Sequence, residues 1–375
     1  MRIAFDATSI PRLMAGAGVY TCNLIRALAA VDDENEYVVF ARDGAFDDLQ
    51  RERPHFQVAH VSARSRPLRL FWEQVLLPFQ AKGRAIDVVH SPHHTAPVLT
   101  LGCRRVVTFH DLTFFILPER YPRSRRLYFR SVSWTAAKIA DRLICPSQAV
   151  MDDIVRILHV SPAKVRPIAE AAASAFRPLE DKAALERFRL KHLLPERFIL
   201  SVGSLEPGKN RTTLLKAFAK LRRQGIEHKL VVAGQRAWKY RDDFHLAEEL
   251  GLKGEVIFTG YILPEEMPAL YNAADLFVFP SLYEGFGLPV LEAMACGVPV
   301  VASNVSAIPE VAGDAALLTD PRDADLLCDS LARVLKDDGL RATLRRRGLE
   351  RAAQFSWEKA ARETIEVYRE AVGGS

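Results

Sequence analysis

Short apolar runs alternate with amphipathic segments along most of the chain, and this rhythm predicts strands separated by helices. In the first half, runs rich in Val, Ile and Phe predict strands at 2–8, 37–41, 56–62, 87–91, 105–110 and 142–146. In the second half, similar runs predict strands at 198–202, 229–233, 256–260, 276–280 and 299–302. Nearly continuous apolar strands that alternate with helices are typical of parallel sheets covered on both faces. We therefore predict an α/β fold made of doubly wound parallel sheets.

The two sets of predicted strands also divide the chain. A length of 375 residues suits two domains, since a typical domain has about 150 residues. A charged, proline-containing stretch near 170–195 separates the two sets, and we place the domains at 1–175 and 176–355. An amphipathic pattern that begins at Ser356 predicts a closing helix within 356–375.

Composition excludes several classes of protein. With 49% hydrophobic and 26% charged residues, the chain is neither disordered nor collagen-like. No apolar run approaches the ~20 residues that a membrane-spanning helix needs. The five cysteines are scattered and form no C-x-x-C pair, which favours reduced thiols, and Asp6 interrupts the segment where an export signal would be apolar. We therefore expect a cytoplasmic protein.

The net charge of +5 comes from the first half of the chain, where 1–175 holds 23 Lys and Arg residues against 17 Asp and Glu residues. A cluster of arginines interleaved with aromatic residues concentrates this excess at Arg120, Arg123, Arg125, Arg126 and Arg130. Cationic and aromatic side chains together suit contact with an anionic membrane or with a lipid-linked acceptor. A solvated helix face with its aromatic residues turned into the core explains the pattern equally well. No nucleic-acid reading motif accompanies the charge, and we expect no nucleic-acid partner.

Two glycine-containing loops stand between a predicted strand and a helix, where backbone amides can hold an anion. The first contains Gly16 and Gly18, and a plain tight turn explains it as well as phosphate contact does. Thr21 occupies the position at which a nicotinamide-binding fingerprint needs glycine, which disfavours an oxidoreductase. The second runs from Gly203 to Asn210 and places Lys209 within reach of a phosphate. Asn210 stands where a P-loop kinase needs Ser or Thr for magnesium, so that class is disfavoured.

The most informative segment is Pro280–Glu292, with the sequence P-S-L-Y-E-G-F-G-L-P-V-L-E. Glycines 285 and 287 allow a tight turn, and Pro289 suits the first turn of a helix. Glu284 then lies before the helix and Glu292 within it. This spacing lets the two carboxylates contact different parts of one extended ligand.

These motifs resemble those of the retaining glycosyltransferases of family 4. The resemblance rests on E-x7-E within E-G-F-G-L-P-x-L-E-A-M-A-C-G-x-P-V-V-A-S, on T-F-H-D-L at 108–112 and on V-G-S-L-E-P-G-K-N at 202–210. The last variant is similar to the mannosyltransferase-like branch. The resemblance implies the GT-B fold, in which two Rossmann-like domains face each other across a cleft and the closing helix crosses back to the N-terminal, acceptor-side domain.

The resemblance also implies roles for individual residues. Glu292 would bind the ribose hydroxyls, Glu284 the donor sugar and Lys209 the diphosphate, while His110 would sit beside the transferred sugar. The implied catalytic residues are thus His110, Glu284 and Lys209. The implied donor-binding residues are Gly16, Gly18, Gly203, Ser204, Lys209, Gly260, Tyr261, Glu284, Phe286, Gly287, Leu288 and Glu292.

The implied reaction moves a hexose from a nucleotide sugar to a hydroxyl of a glycan or lipid-linked acceptor, with GDP-mannose as the favoured donor. No cofactor or metal is expected, and the histidines at 90, 93 and 94 lack nearby acidic or cysteine partners in sequence. Because Ser204 and Gly208 replace basic residues frequent in the family, neutralisation of the diphosphate would depend on Lys209 or on Arg211. A nucleotide-sugar epimerase and a binding protein without transferase activity remain alternatives.

Overall fold

A computed structural model describes residues 1–11, 14, 16–42, 44–63, 65–237 and 240–374. The chain divides into two compact units. Unit 1 comprises Met1–Glu170 with Ser356–Ser375, and unit 2 comprises Ala171–Phe355. The residue at which unit 2 begins is therefore five positions before the start of the second domain predicted from sequence. Among the described residues, no helix has the length and apolar character needed to cross a bilayer.

Unit 1 contains a seven-stranded sheet in the order β3-β2-β1-β4-β5-β6-β7, and every neighbouring pair is parallel. Its strands are β1 (Arg2–Asp6), β2 (Glu36–Ala41), β3 (Phe56–His60), β4 (Val88–Ser91), β5 (Arg104–Thr108), β6 (Arg142–Cys145) and β7 (Val165–Pro167). Its helices before the unit boundary are α1 (Ala17–Val31), α2 (Asp47–Glu52), α3 (Arg66–Phe71), α4 (Leu77–Gly83), α5 (Thr113–Ile116), α6 (Arg123–Ile139) and α7 (Gln148–Leu158). A π-helical turn, Trp72–Leu76, joins α3 to α4.

Unit 2 contains a six-stranded parallel sheet in the order β10-β9-β8-β11-β12-β13. Its strands are β8 (Phe198–Val202), β9 (Lys229–Ala233), β10 (Val256–Gly260), β11 (Leu276–Phe279), β12 (Val300–Ser303) and β13 (Leu317–Thr319). Its helices are α8 (Lys182–Lys191), α9 (Arg211–Arg223), α10 (Tyr240–Glu249), α11 (Met267–Asn272), α12 (Leu288–Ala295), α13 (Ile308–Ala312), α14 (Ala324–Lys336) and α15 (Asp338–Ala352). Single 3₁₀ turns lie at Pro207–Lys209 and Pro264–Glu266.

Alternate residues of the unit 2 strands pack into different cores, as expected for a sheet covered on both faces. Phe198 and Leu200 of β8 belong to one buried cluster, whereas Ile199 belongs to the other. The edge strand β10 departs from this expectation, because all five of its residues are only partly buried. An edge strand has a neighbour on one side only, which explains why its apolar residues are less completely covered.

The closing helix, α16 (Trp357–Gly373), packs within unit 1. The Ser356 hydroxyl accepts a hydrogen bond from the amide of Lys359 and so caps its first turn. The buried Tyr368 hydroxyl lies 2.7 Å from Nδ1 of His90 on β4. Glu370 pairs with Arg142 and Arg166 of the last two strands, β6 and β7. Besides the packing of its buried apolar residues, the helix is therefore held to the unit 1 sheet by this buried polar contact and by ion pairs.

Candidate active site

The carboxyl ends of parallel strands meet at one edge of a sheet, where α/β proteins bind ligands. At this edge of unit 2, Gly203 follows β8, Gly234 follows β9 and Gly260 ends β10. The Gly234 amide donates to the Gly260 carbonyl at 2.9 Å, and a Cβ on Gly234 would lie 2.1 Å from the Gly203 oxygen. Glycine is thus required where these loops touch. Ser204 and Tyr261, two sequence-predicted donor residues, directly follow two of these glycines.

Lys209 and Glu284 come together although 75 residues separate them, since each follows a neighbouring strand of the sheet. Nζ of Lys209 lies 2.5 Å from Oε1 of Glu284 and 5.2 Å from the centre of the Phe279 ring. The lysine stem packs beside Gly203, where an added Cβ would lie 3.2 Å from it. Both charged groups are mostly buried, so their attraction is stronger than that of a surface pair. Lys209 and Glu284 therefore form a fixed cation–carboxylate pair.

Arg211 holds the loop after β8 in place. Its guanidinium donates to the carbonyls of Gly203 and Ser204, each at 2.6 Å, and faces Asp243 at 3.9 Å. Burial lowers the pKa of Arg211 and raises the pKa of Asp243 to about 6. Two cations were predicted to neutralise a diphosphate. Arg211 binds the loop carbonyls, whereas Lys209 lies beside Glu284.

Asn210 ties together the loops that follow three strands. The backbone of Asn210 has φ of 54°. Its side-chain nitrogen, Nδ2, donates to the carbonyls of Pro280 and Pro321 at 3.0 and 2.5 Å. A Ser or Thr hydroxyl has only one hydrogen to donate and could not make both contacts. In the sequence, Asn210 is notable because it replaces the Ser or Thr that binds magnesium in P-loop kinases. In the structure, its side chain links these loops.

The N-terminus of α12 begins at Gly287, which has φ of 102°. A Cβ there would lie 2.4 Å from Cδ1 of Ile308, so both backbone conformation and packing require glycine. Phe286 is buried, and Leu288 begins the helix. Because the first-turn amides of a helix have no carbonyl partner within it, this turn can donate hydrogen bonds to an anion. Glu284 lies three residues before this cap, and its own amide donates to Ser306 at 2.9 Å.

Glu292 lies in α12 and is buried. Its Oε2 accepts a 2.8 Å hydrogen bond from the hydroxyl of Tyr271, a fully buried residue of α11. Burial raises the pKa of Tyr271 well above its ordinary value, and the adjacent Glu292 carboxylate raises it further, so the phenol remains a donor. Sequence reasoning did not identify Tyr271. Its position within an apolar helical pattern resembles that of any core aromatic residue.

In unit 1, Gly16 and Gly18 have different structural roles at the start of α1. Gly16 is the N-cap, with φ of 47°, and a Cβ added to it would have no atom of the described residues within 4 Å. A Cβ on Gly18 would lie 2.8 Å from Cδ of Pro11, so this glycine allows the preceding loop to pack on the helix. Among the described residues, no side chain makes a capping hydrogen bond at Gly16.

His110 lies two residues beyond the end of β5. Its Nε2 must carry a hydrogen, because it lies 3.0 Å from the Pro92 carbonyl, which can only accept. Nδ1 lies 3.7 Å from Oε1 of Glu170, and the ring packs edge-on against Tyr20. The neighbouring Asp111 accepts a hydrogen bond from the Thr113 amide at 2.8 Å and caps the turn. The Pro92 carbonyl, Glu170 and Tyr20 thus fix the orientation of the His110 ring within unit 1.

His90 lies in β4, and His93 and His94 follow that strand; the three side chains have different surroundings. Burial lowers the pKa of His90 to about 3 and of His94 to about 4, so both are neutral. Among the described residues, Asp6, Glu73 and His93 are one group whose possible ligand atoms lie within 4.8 Å of one another. The Arg69 guanidinium is already 2.7 Å from Oε2 of Glu73 and 3.1 Å from Nε2 of His93. A divalent metal would have to displace this cation.

The arginine cluster is only partly solvent-facing. Arg123 and Arg125 are exposed, and the Arg125 guanidinium lies over the rings of Tyr121 and Phe129. Arg120 and Arg126 are partly buried. Arg130 donates to the carbonyls of Phe114 and Phe115 at 2.9 and 3.3 Å and so links α6 to α5.

Comparisons with known proteins cover both units. The family model for Glycosyltransferase Family 4 matches residues 14–170, and that for Glycosyl transferases group 1 matches residues 183–351. O-antigen chain mannosyltransferase B of Escherichia coli is 32% identical over 98% of this chain and 100% of that protein. Serotype-specific mannosyltransferase WbdA of Escherichia coli is 31% identical over 74% of this chain but only 35% of its own length.

Solved structures share the fold over the full chain. Sucrose-phosphate synthase from Thermosynechococcus elongatus is 25% identical, covers 100% of both chains and gives a TM-score of 0.79. Anabaena HepE, solved in complex with UDP-glucose, is 21% identical, covers 99% of this chain and 100% of its own, and gives a TM-score of 0.77. The predicted α/β GT-B fold is therefore confirmed. The chain belongs to glycosyltransferase family 4 and is a glycosyltransferase.

Proposed function

We propose that this glycosyltransferase moves mannose from GDP-mannose to a hydroxyl of a glycan or lipid-linked saccharide, with retention of the anomeric configuration. The observation that carries the proposal is the Lys209–Glu284 pair, which places a cation and a carboxylate before the open N-terminal turn of α12. Mannose is favoured because the full-length relative in Escherichia coli is named as a mannosyltransferase.

In this proposal the donor contacts unit 2 through groups of three kinds. The Lys209 ammonium and the amides at Gly287 and Leu288 hold the diphosphate, Glu284 accepts hydrogen bonds from the mannose hydroxyls, and Glu292 binds the ribose. The backbones of Gly203, Ser204, Gly260 and Tyr261 line the same sheet edge and complete the binding surface. For unit 1 the proposal keeps the roles implied by resemblance, with Gly16 and Gly18 at the diphosphate and His110 beside the transferred sugar.

The proposed reaction needs no metal. The acceptor oxygen bonds to the anomeric carbon on the face from which the nucleotide departs, while the bond from that carbon to the diphosphate oxygen breaks. The leaving diphosphate oxygen takes the proton of the acceptor hydroxyl, and GDP is released. Negative charge grows on the diphosphate in the transition state, where a fixed cation and fixed amide dipoles stabilise it without reorganisation. Lys209 is the residue that supplies this charge.

Contact with an anionic membrane is part of the same proposal, because a lipid-linked acceptor is found at a membrane surface. Arg123 and Arg125 are the members of the arginine cluster that are exposed enough to contribute. Arg120, Arg126 and Arg130 would act indirectly, by positioning α6 and its neighbours.

A donor panel tests the proposal. A ligand that binds only the folded state raises thermal stability by mass action, so we expect GDP-mannose and GDP to stabilise the protein more than UDP-glucose, UDP-GlcNAc or UDP. Calorimetric titration of the same ligands gives the affinities. Stronger binding of a uridine nucleotide sugar would reject GDP-mannose as the donor, and no binding of any nucleotide sugar would reject transferase activity of this chain.

Tyr271→Phe tests how Glu292 is positioned. Removing the hydroxyl leaves the ring packing intact but takes away a hydrogen bond that orients the Glu292 carboxylate. Because one net hydrogen bond contributes about 1 kcal/mol, we expect GDP affinity to fall about fivefold. The turnover number at saturating donor should stay unchanged, since Tyr271 does not contact the reacting atoms.

The matched control is Tyr368→Phe, which removes an equally buried and hydrogen-bonded hydroxyl in unit 1. This control should lose similar stability while binding GDP normally. If Tyr271→Phe binds GDP as tightly as the unmodified protein, Tyr271 does not position Glu292.

A further inference from the structure

The helical segment that spans α3, the π-helical turn and α4 has apolar residues on its buried side and on its solvent-exposed side. One side is buried and includes Trp72, Leu77 and Ala81. The other side is exposed to solvent by 40 to 66% at each of five positions spaced at helical intervals. We call these residues the apolar ridge: Leu68, Phe71, Val75, Leu76 and Phe79. Contiguous apolar patches of this kind usually mark an interaction site.

A neighbouring loop extends the apolar ridge. The side-chain amide of Gln74, in the π-helical turn, donates to the Ala96 carbonyl at 2.9 Å and accepts from the Val98 amide at 3.0 Å. These two bonds hold the loop against the ridge. Val98 and Leu99 are themselves exposed, so the apolar surface continues beyond the helices.

Helix α6 adjoins the other end of the ridge. The Arg66 guanidinium, at the start of α3, lies 5.1 Å from the ring centres of both Tyr128 and Phe129. On α6, Leu127 and Trp134 are exposed and lie two helical turns apart, which places them on one side of the helix. Tryptophan is enriched at membrane–water interfaces because its ring is apolar and its N–H is polar.

The charge of this surface is predominantly positive. Residues 119–140 contain five arginines and one lysine against a single acidic residue, Glu119. Between 65 and 84 the one acidic residue is Glu73, which is fully buried. Burial alone would raise the pKa of Glu73, but its hydrogen bonds with His93 and Thr95 and the nearby Arg69 guanidinium lower it. The Glu73 carboxylate is therefore paired within unit 1 and adds no negative charge to the surface. The exposed charge around the ridge is therefore positive.

We propose that the apolar ridge and the exposed side of α6 together dock on a lipid bilayer that contains anionic lipids. Apolar side chains beside basic ones are the combination that binds at the headgroup boundary. Self-association through this face would bring two positive surfaces together, which is unfavourable. This inference deepens the membrane contact within the proposed function and rests on it, but it assigns the apolar contact to α3, the π-helical turn and α4.

Vesicle co-sedimentation tests the inference, with phosphatidylcholine vesicles compared with vesicles that also contain phosphatidylglycerol. The unmodified protein should bind the anionic vesicles more tightly. Replacing both ridge phenylalanines, Phe71→Ser with Phe79→Ser, should lower binding at least about tenfold because their burial in lipid is lost. Arg123→Gln with Arg125→Gln should lower binding roughly fivefold for each charge removed.

The matched control is Leu190→Ser with Leu193→Ser in unit 2, where both leucines are at least as exposed as any ridge residue. It should bind vesicles like the unmodified protein. Trp134 fluorescence should shift to shorter wavelength with anionic vesicles, and Trp134→Phe should remove that shift.

Three results would overturn the inference. The first is an absence of vesicle binding by the unmodified protein, and the second is equal binding by the ridge variant. The third is concentration-dependent self-association that the ridge substitutions abolish, which would make a second copy the occupant. Calorimetric GDP-mannose binding is measured on the same samples without lipid. If the unmodified protein binds GDP-mannose but not vesicles, the result counts against docking alone. If it binds vesicles but not GDP-mannose, the result counts against the proposed donor alone.

Discussion

Replacing Lys209 with methionine is expected to lower the rate of the proposed mannose transfer at least about 100-fold, the usual cost of removing a group that stabilises charge in a transition state. Methionine keeps an unbranched apolar stem beside Gly203, so the loop after β8 should retain its conformation. The substitution also leaves Glu284 without its 2.5 Å partner. Affinity for GDP should fall about tenfold through loss of one charge-assisted hydrogen bond, while affinity for guanosine stays unchanged.

The control for this experiment is Lys220→Met. Lys220 is another lysine of unit 2 that pairs with an acidic residue, Asp325, but it lies on the exposed side of α9. Transfer rate and GDP affinity should both be normal in this variant. If Lys209→Met lowers the affinities for guanosine and for GDP by the same factor, the lysine stabilises the folded site and does not bind the diphosphate.

Glu292→Gln is expected to weaken binding of GDP and GDP-mannose about 100-fold, equivalent to about 3 kcal/mol. Glutamine has the same shape, and its carbonyl oxygen can still accept from Tyr271, so the buried phenol keeps a partner. The loss should therefore come from the missing negative charge toward the two ribose hydroxyls. Stability of the ligand-free protein, measured by thermal unfolding, should change little.

A ligand change locates this effect on the ribose. The unmodified protein should bind 2′,3′-dideoxy-GDP weakly, and Glu292→Gln should bind it with nearly the same affinity as the unmodified protein does. If Glu292→Gln prefers GDP over dideoxy-GDP as strongly as the unmodified protein does, Glu292 does not bind the ribose.

Much of the fold can be predicted from sequence because its strands are buried. Strands β8 and β9 begin and end at the predicted residues, since each largely apolar run ends directly before a glycine. Strands β7 and β13 were missed, because three residues are too few to show a pattern. The partial exposure of β10 was also missed. Its place at the sheet edge depends on strand order, which an apolar run does not reveal.

The candidate site was predictable where function requires an unusual local sequence. Glycines around a strand end, followed by a proline in a first helical turn, identify the Glu284–Glu292 segment without a structure. The pairing of Lys209 with Glu284 was not predicted, because their separate proposed roles gave no reason for the two side chains to touch. Their contact follows from neighbouring strands that end at the same sheet edge.

Supporting residues were less predictable because their residue types have common structural uses. Tyr271 looks like a core aromatic residue until its hydroxyl is located 2.8 Å from Glu292. Arg211 and Lys209 are two cations in one loop, and only burial and carbonyl contacts distinguish the arginine that holds the loop from the lysine beside Glu284. The sequence does not indicate that Gly234 must be glycine. That need arises from its contact with Gly203, which follows a different strand.

The most direct test of the account is proton NMR of the reaction between the unmodified protein, GDP-mannose and a panel of mannose-containing acceptors with an apolar aglycone. GDP-mannose carries its mannose in the α configuration. The account predicts release of GDP together with a new α-mannoside, and loss of both in Lys209→Met. Formation of a β-mannoside would contradict retention, and hydrolysis or isomerisation of the donor without a new glycosidic bond would contradict mannose transfer.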